Sequence, residues 1–195
     1  MTSTTGGCGG STASGAPIVR SSPRASIVVC TTRPEAYALL MGSLQRQTVQ
    51  DFEVITIPER GPLTTLRNRG IAQARAPITC VIDDDTVCPR TWLEGILQTF
   101  ARHPEVVGVS GPAIITPHWR ANRHLFRWPW LSWAYRWAFV DHPQVPGHIS
   151  ASGAPTTASA DADCAYEGPV DFLEACNMSY RTEALRAVGG FDEAY

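Results

Sequence analysis

The sequence has 195 residues, of which 44% are hydrophobic and 17% charged, and its formal net charge at pH 7 is -2. This length suits one globular domain, and the composition fits a soluble globular protein better than a disordered chain. The small negative charge excludes the broad positive field of a nucleic-acid-binding protein, so we expect no nucleic-acid partner.

The amino-terminal residues predict a disordered tail at 1–24, because they are rich in Ser, Thr, Gly and Ala and lack the apolar stretch of a secretory signal. No apolar run in the sequence reaches the ~20 residues that span a bilayer. Cys30 and Cys80 lie in apolar runs, where a thiol behaves as a small hydrophobe, and the sequence has no Cys-x-x-Cys pair. These features favour a cytoplasmic location.

Residues 25–110 alternate short apolar runs with amphipathic stretches. Strands are predicted at 26–30, 53–57, 78–82 and 106–109. Helices are predicted between them, from Pro34, from about Leu63 and from Pro89, because apolar residues recur at helical spacing after each point. This alternation predicts an α/β fold, a single domain in which a mainly parallel, Rossmann-like sheet is flanked by helices. Ligands are expected beyond the carboxyl ends of the strands.

The alternation ends beyond Pro112. An aromatic-rich insertion is predicted at about 117–168. Regular structure is expected to return with a strand at 170–173 and a helix at 182–188. Thr182 is the expected N-cap of that helix, and Gly189-Gly190 stops it.

Three carboxylates crowd into the turn that follows the strand at 78–82. Asp83, Asp84 and Asp85 repel one another unless a cation or hydrogen-bond donors compensate. Carboxylate oxygens suit Mg²⁺ or Mn²⁺, which take further oxygens from water and a substrate diphosphate. The alternative is a solvated acidic turn that caps the helix after Pro89. The triplet alone leaves both interpretations open.

The helix after the second strand adds donors that suit phosphate. Arg67 and Asn68 are expected to project guanidinium and amide groups toward the same strand ends. Arginine is suited to planar, bidentate phosphate contacts. We expect Arg69, in contrast, to lie on a solvated helix face.

Several segments, taken in order, resemble family 2 glycosyltransferases with the GT-A fold. They are Ser26 to Pro34, Asp51-Phe52-Glu53-Val54-Ile55, Leu66-Arg67-Asn68-Arg69-Gly70, Val81-Ile82-Asp83-Asp84-Asp85, Cys176-Asn177-Met178-Ser179-Tyr180-Arg181 and Gly189-Gly190-Phe191-Asp192-Glu193. The resemblance runs from about Ala25 to the end of the chain and implies a glycosyltransferase GT-A domain at 25–195.

This resemblance implies an inverting, metal-dependent, hexosyltransferase-like enzyme. It would move a sugar from a nucleotide-diphospho-sugar donor to a hydroxyl acceptor such as a glycan or lipid, as in polysaccharide biosynthesis for the cell envelope. The implied roles are Asp85 and Asp83 as ligands of Mg²⁺ or Mn²⁺, Asp83 and Asp84 at the ribose and metal shell, Thr31 and Arg33 near the nucleotide, and Arg67 and Asn68 on the donor side.

The sequence departs from the family pattern at two points. Glu59 stands where the family usually has an aspartate pair that contacts the base, so Glu59 is the expected substitute. The family's acidic general base lies in a Glu-Asp motif downstream of 189–193, and this sequence ends at Tyr195. Either Asp192 or Glu193 serves as the base, or the sequence is a fragment with its C-terminal part missing, which we favour. Gly189-Gly190 can equally be a simple helix C-cap with both acidic residues solvated.

The segment 119–140 interleaves aromatic and Arg side chains. It suits peripheral contact with the inner face of an anionic membrane, or a platform on which acceptor sugars stack. The alternative is a hydrophobic flap packed on the sheet with its Arg stems directed outward.

A second functional hypothesis is a truncated, non-catalytic module that binds the nucleotide sugar but lacks the general base. A metal-dependent phosphatase or nucleotidyltransferase is disfavoured, because the sequence contains no Gly-rich phosphate loop and no nucleophilic Asp with a partnering Lys.

Overall fold

The computed structural model describes residues 22–111, 148–149, 155–156 and 168–194. The predicted tail at 1–24, apart from its last three residues, lies outside these ranges, as does nearly all of the predicted insertion at about 117–168. The segment proposed to contact a membrane, 119–140, lies wholly outside them. Among the described residues, no helix has the length and apolar character that crossing a membrane requires.

The secondary structure follows the predicted alternation. In chain order the elements are β1 (Ala25–Cys30), α1 (Pro34–Leu44), β2 (Phe52–Ile57), α2 (Leu63–Gln73), β3 (Ile78–Asp83), α3 (Trp92–Arg102), β4 (Gly108–Ser110), β5 (His148–Ile149), β6 (Pro155–Thr156), β7 (Asn177–Arg181) and α4 (Thr182–Ala187). β5 and β6 form a separate antiparallel pair.

The main sheet has the strand order β2-β1-β3-β7-β4. β1 is parallel to β2 and β3, whereas β7 is antiparallel to both β3 and β4. Four strands therefore run in one direction and β7 alone runs in the other. The predicted single α/β domain with a mainly parallel sheet flanked by helices is confirmed.

The core lies on both faces of this sheet. Ile27 and Val29 of β1 pack with α1 and α3 on one face, and Val28 packs with α2 on the other. Because successive strand residues point to opposite faces, a strand covered on both sides needs apolar residues throughout, as β1 and β3 have. Their carboxyl ends meet at one edge, where Cys30 is in register with both Ile57 and Asp83.

Helix α2 packs unusually close to this sheet. A Cβ atom added at Gly70 would lie 2.3 Å from Cγ1 of Val28, a side chain with no exposed surface. Glycine at this position therefore lets α2 lie against β1, and this position of α2 sets where Arg67, Asn68 and Arg69 reach.

One predicted strand was wrong, and the bounds of another differ from the prediction. Residues 170–173 form no strand, and the antiparallel strand is β7, at Asn177–Arg181. Leu173 instead packs as a loop side chain against the core beneath α2, which satisfies its apolar character without backbone pairing. The fourth strand begins at Gly108 rather than residue 106. Before it, the Val107 carbonyl accepts a hydrogen bond from the Arg181 N–H, and the Val106 carbonyl accepts one from the Arg181 side chain.

Helix boundaries also differ from the predictions. α3 begins at Trp92, and Pro89 accepts a turn hydrogen bond from the Trp92 N–H. Thr182 is not the N-cap of α4, because its hydroxyl donates to the Ala76 carbonyl at 2.7 Å. Gly189-Gly190 does stop α4: both glycines have φ of 82°, and their N–H groups bond to the Arg186 and Leu185 carbonyls.

Candidate functional site

The loop after β1 and the turn after β3 are joined through Asp84. The side chain of Asp84 is only 5% exposed. Its carboxylate accepts hydrogen bonds from the Thr31 hydroxyl at 2.6 Å and from Arg33 Nε at 3.2 Å, and Arg33 Nη2 bonds to its second oxygen. Burial alone would raise the pKa of Asp84, but hydrogen bonds from Arg33 and Thr31 outweigh burial and hold that pKa below its ordinary value. Asp84 thus holds the loop after β1 against the turn after β3.

Because the pKa of Asp84 is lowered in the folded protein, the free energy of unfolding should depend on pH. The charged carboxylate contributes stability above the ordinary aspartate pKa of about 3.9, and this contribution is lost as pH falls through the lower folded-state pKa. We expect Asp84→Asn to lower the free energy of unfolding by about 1 kcal/mol at pH 7. In urea titrations of metal-free protein, the difference from wild type should shrink as pH falls below the ordinary aspartate pKa of about 3.9. A constant difference across this range would show that the Asp84 charge is not the cause.

Asp83 is held by a nearly buried arginine on α2. Arg67 Nη2 donates to Asp83 Oδ1 at 3.1 Å and to the Ala175 carbonyl at 3.2 Å, and its guanidinium lies 5.8 Å from the centre of the Phe191 ring. Burial raises the pKa of Asp83, Arg67 opposes that rise, and the charges of Asp85 and Asp84 add to it. Three aspartates in this turn face two arginines, Arg33 and Arg67, so the turn keeps a net negative charge.

Asp83 and Asp85 present carboxylate oxygens to solvent. Their side chains are 39% and 59% exposed, and Asp85 accepts a 3.1 Å hydrogen bond from Arg33. Within the described ranges, no three His, Cys, Asp or Glu side chains are grouped to hold a metal. Asp85 and the partly exposed Asp83 nevertheless offer carboxylate oxygens that suit Mg²⁺ or Mn²⁺, because these ions complete their coordination with water and phosphate oxygens.

An open cleft of about 470 Å³ lies at the same edge of the sheet. Four of the predicted site residues line it: Thr31, Arg33, Glu59 and Asp84. Cys30, Gly61, Leu63 and Leu66 contribute its less polar wall. Thr32 and Arg60 complete a lining that is mostly polar or charged, and a concave site with convergent polar groups can bind a polar small molecule.

Asn68, Asp192 and Glu193 lie outside the described lining of this cleft, and Asn68 contacts Glu193. The Asn68 amide donates to the Phe191 carbonyl and accepts from the Phe191 N–H, both at 2.8 Å. Glu193 accepts from Asn68 at 2.9 Å and from Thr65 at 3.1 Å. Asp192 is exposed and accepts a hydrogen bond from the Ala194 N–H. These contacts anchor the segment after α4 to α2.

Arg69 makes a contact that the sequence does not predict. It was expected on a solvated helix face, and its side chain is indeed 53% exposed. Its two terminal nitrogens, however, bond to the two carboxylate oxygens of Glu59 on the cleft wall. Ten residues separate the two along the chain, so neither helical spacing nor local pattern signals the pair.

Comparison with known proteins identifies the family of this chain. The sequence model of the family named glycosyl transferase family 2 matches residues 41–166. The chain belongs to this family, and its fold is GT-A.

One curated protein and one solved structure of similar fold extend this comparison. A glucosyl-dolichyl phosphate glucuronosyltransferase from Haloferax volcanii is 24% identical over 201 residues, covering 87% of this chain and 56% of that protein. The solved structure of the mannosyltransferase PcManGT from Pyrobaculum calidifontis, in complex with GDP-Man and Mn²⁺, has a TM-score of 0.53 at 15% identity. That match covers 88% of this chain and 48% of PcManGT. The chain thus spans about half the length of these relatives.

Proposed function

We propose that this chain binds a nucleotide-diphospho-sugar together with Mg²⁺ or Mn²⁺ and takes part in inverting transfer of a hexose-like sugar to a hydroxyl acceptor. The acceptor would be a glycan or a lipid, as in the assembly of cell-envelope polysaccharide. The observation that carries this proposal is the convergence of Arg33, Arg67 and the three aspartates beside one open cleft.

The chemistry follows from the charges at this edge. A divalent ion held by Asp83 and Asp85 would supply Lewis-acid stabilisation of the departing diphosphate. Arg33 lies between Asp84 and Asp85, and its exposed guanidinium can also contact an anionic group in the cleft. Arg67 holds Asp83 in place and fixes the Ala175 carbonyl beside it. Preorganised charges of this kind lower the barrier to a step in which negative charge develops.

The relatives support this proposal without defining the substrate. PcManGT is described with GDP-Man and Mn²⁺, and the Haloferax protein is named for transfer to a glucosyl-dolichyl phosphate. A nucleotide-sugar donor, a divalent ion and a lipid-linked acceptor are accordingly the first classes to test. Donor sugar and acceptor are set by pocket details that differ within a shared fold.

The second candidate function is donor binding without transfer. A general base must lie within hydrogen-bond reach of the acceptor hydroxyl. Glu193 is bonded to Thr65 and Asn68, and Asp192 is bonded to the Ala194 N–H. Within the described residues, neither carboxylate lines the cleft. These contacts favour a structural role for both, and a binding module would then keep the donor site alone.

The deciding experiment is calorimetric titration of the chain with UDP and with GDP, with and without Mn²⁺. We expect metal-dependent binding of at least one nucleotide, and Asp85→Ala should weaken it at least about tenfold, or 1.4 kcal/mol. Glu105→Ala is the matched control, because this exposed carboxylate follows α3 at the opposite edge of the sheet. Loss of binding in both variants, or equal binding by Asp85→Ala and wild type, would contradict the proposed metal site.

Incubation of a metal-bound nucleotide sugar with the chain separates the two functions. Release of the nucleoside diphosphate, through hydrolysis or transfer, is expected of the enzyme. Binding without any such release would favour the binding module.

A further inference from the structure

Hydrogen bonds alone leave the guanidinium of Arg67 incompletely fixed. Both hydrogen bonds that Arg67 makes to described residues come from one nitrogen, Nη2, which donates to Asp83 at 3.1 Å and to the Ala175 carbonyl at 3.2 Å. A planar guanidinium held at one nitrogen can still pivot about that atom, whereas one that is engaged at two nitrogens cannot. A further contact is therefore needed to hold the plane of this guanidinium.

The ring of Phe191 supplies this contact. The guanidinium carbon of Arg67 lies over the ring, 5.8 Å from its centre. A cation in this position is attracted to the negative face of the ring, and the attraction is stronger where water is excluded, as it is around Arg67, which is only 8% exposed. Tyr180 supports the ring in turn, because the two aromatic rings meet edge to face with 6.2 Å between their centres. The ring therefore restrains the guanidinium while Nη2 bonds to Asp83.

Asn68, the next residue along α2, holds Phe191 in place. Its amide donates to the Phe191 carbonyl and accepts from the Phe191 N–H, both at 2.8 Å, so the backbone of Phe191 is bound on both sides. Gly190 permits this close approach, because a Cβ atom there would lie 2.4 Å from Asn68 Oδ1. Phe191 is thus attached to the same helix that carries Arg67.

We propose that Phe191 is a positioning residue of the donor site, which holds the Arg67 guanidinium against Asp83 and so keeps that carboxylate oriented for the divalent ion and the diphosphate. This inference rests on the proposed function of the cleft as a donor site. It gives the segment after α4 a part in donor binding, although no described residue of that segment lines the cleft. Any displacement of this segment should then change donor affinity.

The first experiment combines Phe191→Leu with Arg67→Met. The full chain and the single and double variants are titrated by calorimetry with UDP and with GDP in Mn²⁺. Leucine keeps the apolar character of the side chain but has no ring face for a cation, so Phe191→Leu should weaken nucleotide binding about fivefold. Added to Arg67→Met it should weaken binding no further, because its effect passes through Arg67. Independent losses that multiply in the double variant would overturn the inference.

Phe100→Leu is the matched control, since Arg181 lies over the Phe100 ring at 5.2 Å in the same kind of contact. Phe100 is buried in α3, Arg181 bonds to carbonyls near the end of that helix, and neither residue belongs to the described lining of the cleft. Phe100→Leu should destabilise the fold in urea titration and leave nucleotide affinity unchanged in a folded sample. A fall in affinity as large as that of Phe191→Leu would show that lost stability, rather than the position of Arg67, is the cause.

Gly190→Ala and Gly189→Ala test the attachment to Asn68 without changing the ring or the cation. Both glycines have φ of 82°, so alanine strains the backbone at either position. A Cβ atom at Gly189 meets nothing within 4 Å, whereas one at Gly190 collides with the Asn68 amide. Gly190→Ala should therefore weaken nucleotide binding severalfold, and Gly189→Ala should leave it unchanged. Equal affinities in the two variants would contradict a role for this segment in the donor site.

Failure of the proposed function gives a different result. A wild-type chain that binds neither UDP nor GDP in Mn²⁺ would contradict the donor site itself, and the inference with it. A wild-type chain that binds nucleotide, together with a folded Phe191→Leu variant that binds it equally well, would overturn the role of Phe191 alone.

Discussion

Replacement of Arg67 by Met should weaken Mn²⁺-dependent nucleotide binding at least about tenfold and lower the free energy of unfolding by about 2 kcal/mol. Arg67 is nearly buried, and it bonds both to Asp83 and to the Ala175 carbonyl. Its removal leaves Asp83 without the charge that offsets burial, so the pKa of Asp83 should rise further above its ordinary value. We expect a smaller stability loss than for a fully buried ion pair, because Asp83 is 39% exposed and water partly screens its charge.

Arg186→Met is the control that separates the two effects of Arg67. Arg186 donates to the Ile71 and Ala74 carbonyls at the end of α2, so its loss should also destabilise the fold. Arg186 lies away from the aspartates and should leave nucleotide affinity unchanged in a folded sample. Urea titration gives the stabilities and calorimetry the affinities. If Arg67→Met binds nucleotide as wild type does, Arg67 has a structural role and does not support the donor.

Local patterns were sufficient for most of the sheet and for the position of the acidic turn. β1 and β3 are nearly continuous apolar runs because helices cover both faces of the sheet, and this environment leaves a readable pattern in sequence. Asp83 to Asp85 directly follow such a run, so their location at a strand end needed no tertiary information. The hydrogen bonds of Asp84 were harder to predict from the sequence, because its partners Thr31 and Arg33 belong to another loop.

Contacts between distant segments account for what the sequence did not reveal. β7 pairs with β3, with Asn177 opposite Ile82. No local periodicity in the sequence predicts that an antiparallel strand lies within an otherwise parallel sheet. Asn68 was predicted on the donor side, yet its amide bonds to Phe191, 123 residues further along the chain. A polar residue on a helix face looks the same in sequence whether it meets solvent, ligand or another segment.

Replacement of Gly70 and of Gly95 by alanine should have opposite effects on stability. Both glycines lie inside helices, α2 and α3 respectively. Alanine normally stabilises such a position by about 0.5–1 kcal/mol, because glycine loses more backbone freedom on folding. A Cβ at Gly95 meets nothing within 4 Å, so Gly95→Ala should show this gain in urea titration.

Gly70→Ala should instead destabilise the protein by about 2–3 kcal/mol. Its new methyl group would lie 2.3 Å from Cγ1 and 3.3 Å from Cγ2 of Val28, which is fully buried in β1. Relief requires α2 to move away from the sheet, and this shift would carry Arg67 away from Asp83. We therefore expect nucleotide affinity to fall together with stability, although Gly70 has no side chain to contact a ligand.

A second substitution, made at Val28, tests whether the close contact between Gly70 and Val28 causes these losses. Val28→Ala alone should destabilise, because it removes buried methyl groups. Combined with Gly70→Ala it should recover part of the lost stability and of the lost affinity, giving a favourable coupling between two residues that touch. If the two losses simply add, close packing of α2 on β1 is not what glycine at this position provides. Recovery of stability without recovery of affinity would mean that the position of α2 does not control the donor site.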